Sequence, residues 1–217
     1  MSNAEEALAG EPPHVHHMDP ETAYTAAKFG MWLFLATEIL LFGVLFSSFA
    51  IYRWMYLDFF HHASQHLNWK LGAINTAILI FSSYTAAVAV TAAQTGDNQR
   101  VARNLLITII CGAIFLIIKY IEYSAKYHHG IFPGTDYWNS EEFGSKYRMY
   151  FGLYYTMTGL HALHVFAGMC LLFWVRTKAV ANRFSPKYYT PVEVGALYWH
   201  LVDLIWIYLF PLLYLVK

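Results

Sequence analysis

Five stretches of this chain stay apolar for long enough to cross a bilayer, which takes about 20 residues of helix. They cover 29–52, 72–93, 105–123, 150–175 and 194–216. The second and fourth contain no Asp, Glu, Lys or Arg. None alternates apolar and polar residues with period two over blocks of about ten, which argues against a β-barrel. A backbone in lipid must satisfy its own hydrogen bonds, and runs of this length do so as helices. The pattern predicts an all-α fold: a polytopic membrane helix bundle with five transmembrane helices. Residues 1–28 are polar, and read as a flexible N-terminal tail ahead of a single domain over 29–217. The tail holds Glu5, Glu6, Glu11, Pro12, Pro13, His14, His16 and His17, without the basic start and short apolar core of a signal peptide.

Composition strengthens the membrane reading. Of the 217 residues 58% are hydrophobic and 13% charged, against about a quarter charged in a soluble domain. The 7 Trp, 17 Tyr and 16 Phe make the chain strongly aromatic. The net formal charge of zero gives no electrostatic footprint for a nucleic-acid partner. Cys111 and Cys170 lie in separate apolar runs and read as small buried hydrophobes. With five spans, the tail and the second and fourth loops share one side and carry seven basic residues, against six on the other. The second and fourth loops are compact and basic, with Arg100, Arg103, Arg176, Lys178, Arg183 and Lys187. This places the N-terminus in the cytoplasm and the C-terminus outside.

Candidate chemistry lies in the ionisable groups at membrane depth, which are costly there and normally face protein or water. Glu38 falls about nine residues into the first span, near half-depth at ~1.5 Å per residue. It has no basic residue in reach along its own helix. It therefore finds a partner on another helix or stays protonated, either as a proton-linked carboxyl or as a neutral acid bonded to a nearby Thr or Ser. Lys119/Glu122, His161/His164 and His200/Asp203 are each spaced i,i+3, on one helix face. Lys119/Glu122 reads as an ion pair near the interface. His200/Asp203 suits a carboxylate orienting an imidazole, and equally an interhelix hydrogen bond. A bis-His haem would need His161 or His164 to face His200, and three histidines at depth also fit plain packing. Small residues mark helix contacts: Gly72, Thr76, Ser83 and Ala87 in the second span, and Gly152, Thr156 and Gly159 in the fourth. Trp54, Tyr56, Trp69, Trp174 and Tyr214 fit an interfacial aromatic belt.

Read together, the spans resemble a known family. The first contains Lys28-Phe-Gly-Met-Trp-Leu-Phe-Leu-Ala-Thr-Glu38, and the second Asn75-Thr76 and Ser82-Ser83. The third contains Gly112, Phe115 and Glu122-Tyr123. The fourth reads Thr158-Gly159-Leu-His161-Ala-Leu-His164-Val165 with Gly168, and the fifth Tyr198-Trp199-His200-Leu-Val-Asp203 with Trp206. Their order and spacing are similar to subunit III of the haem–copper cytochrome c oxidases, from Lys28 to the end.

The resemblance implies an accessory subunit with no redox centre, in a proton-pumping terminal oxidase of bacterial aerobic respiration. Such a subunit packs against subunit I, which holds haems and one copper, beside subunit II, which holds the other copper. It binds phospholipid, supports proton uptake and resists turnover-linked inactivation, in a complex open to a larger respiratory supercomplex. Glu38 matches the family's carbodiimide-reactive buried carboxyl. The histidines matching His161, His164 and His200 are not metal ligands, so no metal or cofactor is expected on this chain. Many members carry seven helices, two of which form one arm of a lipid-holding cleft; five resembles the bacterial form and a bacterial cell membrane. Lys119 stands where the family commonly has Gln, and either pairs with Glu122 or reaches a lipid phosphate. The alternatives are subunit III of a quinol oxidase, a counterpart in a nitric oxide reductase, a small proton-coupled transporter using Glu38, Glu122 and Asp203, and a b-type cytochrome.

Overall fold

The structure is a computed structural model that describes residues 19–64, 67–140 and 144–215. Residues 1–18, with most of the polar tail and its histidines, lie outside the described residues. The long helices are α1 (Pro20–Met55), α3 (Trp69–Gln94), α4 (Asn98–His128), α6 (Gly144–Val180) and α7 (Thr190–Phe210). Two short helices, α2 (Leu57–Ser64) and α5 (Asp136–Asn139), sit in the first and third connections. Among the described residues, five helices are long and apolar enough to cross a membrane.

Every long helix begins before its apolar stretch, and α1, α3, α4 and α6 also run past its end, because polar residues end a membrane span without ending a helix. α1 starts nine residues before the first apolar run, so 20–28 are helical rather than tail. Asp19 caps it, accepting from the Thr22 backbone N–H at 3.3 Å. Asn68 caps α3 through the Lys70 N–H at 3.1 Å, and Asp97 caps α4 through the Arg100 N–H at 2.9 Å. At Gly96, φ of +79° lets the chain reverse between α3 and α4. This turn is tied to the α6–α7 connection: Asn98 Nδ2 donates to the Phe184 carbonyl at 2.8 Å, and the Phe184 N–H donates back to Asn98 Oδ1. Pro211 has no N–H to continue the α-helical ladder. The chain there widens into a π-helical turn over Pro211–Leu215, which buries Leu213 and Tyr214.

α3, α4, α6 and α7 form a four-helix bundle in which each packs on two neighbours, and α1 lies outside against α7 and α6. The most apolar stretch of α7 is 56% buried and that of α1 only 17%, which makes α7 the central helix and α1 the peripheral one. The centre is organised by Trp199, fully buried between two glycines. A Cβ on Gly112 would come within 2.8 Å of its ring, and one on Gly168 within 3.0 Å, so only glycine lets α4 and α6 close on it. Trp199 Nε1 donates to Ser82 Oγ at 3.0 Å. One layer along, Phe115 meets Trp206 edge-on, with centroids 4.8 Å apart.

The second-span stripe lies at a helix contact: Gly72 abuts Phe210, Thr76 Oγ1 accepts from Trp206 Nε1 at 3.1 Å, and Ser83 meets α7. The fourth-span stripe does not. Thr156 is exposed, and a Cβ on Gly152 or Gly159 would meet nothing within 4 Å, so no helix among the described residues closes on that face. Cys170 is also exposed, unlike buried Cys111, because its position on α6 turns it away from the bundle.

Candidate functional site

Glu38 has a partner on another helix. Its Oε2 lies 2.8 Å from His164 Nε2, which joins α1 to α6, and both side chains are 14% exposed. His164 Nδ1 lies 2.8 Å from the Leu160 carbonyl oxygen, one turn back on α6. A carbonyl only accepts, so Nδ1 carries a proton. In a neutral ring Nε2 then has none, and the contact with Glu38 needs a proton from the carboxyl. The alternative is a carboxylate facing an imidazolium. Either way the pair holds one proton between Oε2 and Nε2 and is neutral overall. Phe42, one turn along α1, packs edge-on against the imidazole with centroids 5.3 Å apart.

Lys119 and Glu122 pair at 2.9 Å, as their spacing predicts, and the bundle encloses the pair. Lys126, one turn further, binds the same carboxylate at 2.8 Å. The three residues are 4%, 5% and 6% exposed. Tyr154 OH donates to Glu122 Oε1 at 2.9 Å, and Tyr214 OH lies 2.7 Å from the same oxygen. Tyr214 OH also accepts from Lys119 Nζ at 2.8 Å. Lys119 Nζ further sits 4.9 Å from the centroid of the Trp206 ring. Tyr214 is thus a core residue rather than part of an aromatic belt, because the π-helical turn folds it inward. Trp54, by contrast, is 82% exposed. Lys126 was missed in the sequence because it reads as a loop cation. Its i,i+4 spacing from Glu122 was the available signal.

His200 and Asp203 do not bond to each other. His200 Nδ1 is 2.6 Å from Ser83 Oγ on α3. Asp203 is 2% exposed, and neither carboxyl oxygen makes a hydrogen bond of proper geometry, although the Ser83 and Ser82 hydroxyls lie beside it. At i,i+3 the two side chains both approach Ser83 of α3 rather than each other. His161 is fully buried, stacked on Trp206 with centroids 5.3 Å apart, and neither ring nitrogen has a hydrogen-bond partner among the described residues. The three imidazoles therefore face Trp206, Glu38 and Ser83 rather than one another. Among the described residues, no three His, Cys, Asp or Glu side chains are grouped to hold a metal ion.

One more polar contact fastens α1. Lys28 Nζ lies 2.8 Å from Glu193 Oε1 at the start of α7, and Tyr24 OH donates to Glu193 Oε2 at 2.7 Å.

These features define a class: a polytopic membrane protein whose ionisable groups are closed within a bundle of long apolar helices. Residues 14–217 match the family model described as "Cytochrome c oxidase subunit III". The chain belongs to that family. It is 31% identical over 188 residues to the "Probable cytochrome c oxidase subunit 3" of Nocardia farcinica, 87% of each chain. It is 33% identical over 190 residues to the cytochrome c oxidase subunit 3 of Corynebacterium diphtheriae, again 87% of each. With the Synechocystis protein of the same name it shares 32% identity over 203 residues, 93% of this chain and 79% of that one.

Proposed function

We propose that this chain acts as the non-redox subunit III of a bacterial proton-pumping terminal oxidase, packing against subunit I in a complex that also contains subunit II. Haem and copper belong to those partners. This chain contributes packing surface, phospholipid contacts and proton-handling groups, of which the Glu38–His164 pair is the foremost. The observation that carries the reading is the family match over 14–217. A large apolar surface left for lipid and partners supports it, including Phe29, Trp32, Leu40 and Val44 on peripheral α1.

The chain is a multi-pass membrane protein. We infer that its membrane is the bacterial cell membrane, with the N-terminus cytoplasmic and the C-terminus outside. Arg100 and Arg103 in the first turns of α4, Arg176 and Lys178 at the end of α6, and Arg183 and Lys187 in the α6–α7 connection support that orientation.

Purification of the tagged chain in mild detergent tests the assembly. Co-purification of a large many-helix haem protein with a reduced-minus-oxidised haem spectrum is expected, and stripping that partner should leave this chain colourless. A haem-free monomer or homo-oligomer would overturn the reading.

A further inference from the structure

Proton bookkeeping around Asp203 leads to a site that the assembly does not require. The carboxyl lies in the core of the bundle, with Ser82 and Ser83 of α3 beside it and Cys111 of α4 close enough to interact electrostatically. On α6, the titratable groups His161 and His164 are stacked on Trp206 and bonded to Glu38. Among the described residues, no lysine or arginine forms an ion pair with Asp203. An ionised carboxylate with no cation and no donor is strongly disfavoured in such a place.

Ser82 cannot supply a donor. Its hydroxyl proton goes to the Leu79 carbonyl at 2.7 Å, and its oxygen already accepts from Trp199 Nε1. Ser83 is the one variable group, because its hydroxyl shares a single proton position with His200 Nδ1 at 2.6 Å. If Ser83 donates to His200, both serines offer Asp203 only acceptors, and Asp203 must carry the proton. If His200 Nδ1–H donates to Ser83 instead, Ser83 is free to donate to an Asp203 carboxylate. The two arrangements differ by one proton passed from the carboxyl through the serine to the imidazole. Neutral Asp203 and neutral His200 become carboxylate and imidazolium, while Ser83 gives up one proton and takes another.

We propose that Asp203 is a proton-binding site in the core of this chain, connected through Ser83 to His200. His200 is only partly buried and is the end of the relay nearest the surface of the chain. The resting proton is on Asp203, since that arrangement buries no charge. The relay is separate from the Glu38–His164 pair, which holds its own proton between α1 and α6.

Infrared difference spectroscopy tests this on the chain purified with whatever subunits accompany it, so the outcome does not depend on the oxidase reading. The expected result is a protonated-carboxyl C=O band at neutral pH that disappears in Asp203→Asn and returns at a shifted frequency in Asp203→Glu. In D2O the band should shift, and Ser83→Ala should slow that shift roughly a hundredfold, the low end of what a positioned proton-transfer group contributes. Absence of the band from the native chain, with carboxylate bands in its place, would overturn the proton site. An unchanged exchange rate in Ser83→Ala would overturn the route. If Asp203→Asn fails to accumulate, the shifted frequency in Asp203→Glu assigns the native band to Asp203 rather than to Glu38, and exchange in Ser83→Ala decides the route.

Discussion

Geometry at single residues fixes how many protons two intramembrane units hold. His164 spends its Nδ1 proton on Leu160, so the Glu38 contact holds one proton and no net charge. An amide can replace either half of that bond, whereas a methyl group cannot. Glu38→Gln should therefore keep the subunit in the complex, while Glu38→Ala leaves His164 Nε2 unpaired at a cost of about 1–3 kcal/mol. Subunit recovery after detergent extraction measures this, and equal recovery of the two variants would refute it. The Glu122 cluster is not balanced in that way, with two ammonium groups on one carboxylate. Glu122→Gln strands both cations in the core, a loss of about 3–5 kcal/mol. Lys119→Met leaves one cation with one anion and should be much milder. Thermal unfolding of the solubilised chain gives the order, and a Lys119→Met variant as damaged as Glu122→Gln would show that the excess charge is compensated elsewhere.

At the scale of elements, helix ends are set by capping while helix positions are set by burial. α1 is held by few apolar contacts, so its polar ties to Glu193 at one end and His164 at mid-span take on more of the work of placing it. Its first turn rests on Asp19, whose carboxyl is held below its ordinary value of 3.8, chiefly by the Thr22 hydroxyl and also by the Thr22 N–H. A lowered folded pKa means stabilisation that is complete above the ordinary value and lost as pH falls through the lowered one. Amide protection at Thr22 and Ala23 should accordingly drop in acid, relative to mid-α1. Asp19→Asn keeps the cap without the titration, and should lose that pH dependence. The same acid response in Asp19→Asn would assign it to another group.

For the whole molecule, the decisive feature is which faces the bundle leaves open. Cys170 and the Gly152–Thr156–Gly159 face point outward from α6, whereas Cys111 is enclosed by the bundle. A membrane-permeant thiol reagent should modify Cys170 in the isolated chain, and Cys111 only after unfolding. Mass spectrometry of the labelled peptides reads this directly, and rapid labelling of Cys111 in the folded chain would contradict the packing around Trp199.

Much of this architecture is legible from the chain alone, because lipid imposes length and continuity on each span locally. The five apolar runs place Glu38, Lys119, Glu122, the three histidines and Asp203 at membrane depth, and helical spacing pairs Lys119 with Glu122. Helix termini were less legible, because a capped polar turn such as that at Asp19 continues a helix without adding an apolar residue. The partners of the polar groups were decided by tertiary structure. Glu38 meets His164 across 126 positions, Ser83 meets His200 across 117, and Tyr214 reaches Glu122 across 92. Sequence periodicity gives each side chain its depth and its face, but not how one helix is rotated against the next. That rotation is set by close packing, above all by Trp199 seated between Gly112 and Gly168. It turns Asp203 towards Ser83 instead of His200, and draws Lys126 and Tyr214 into the core.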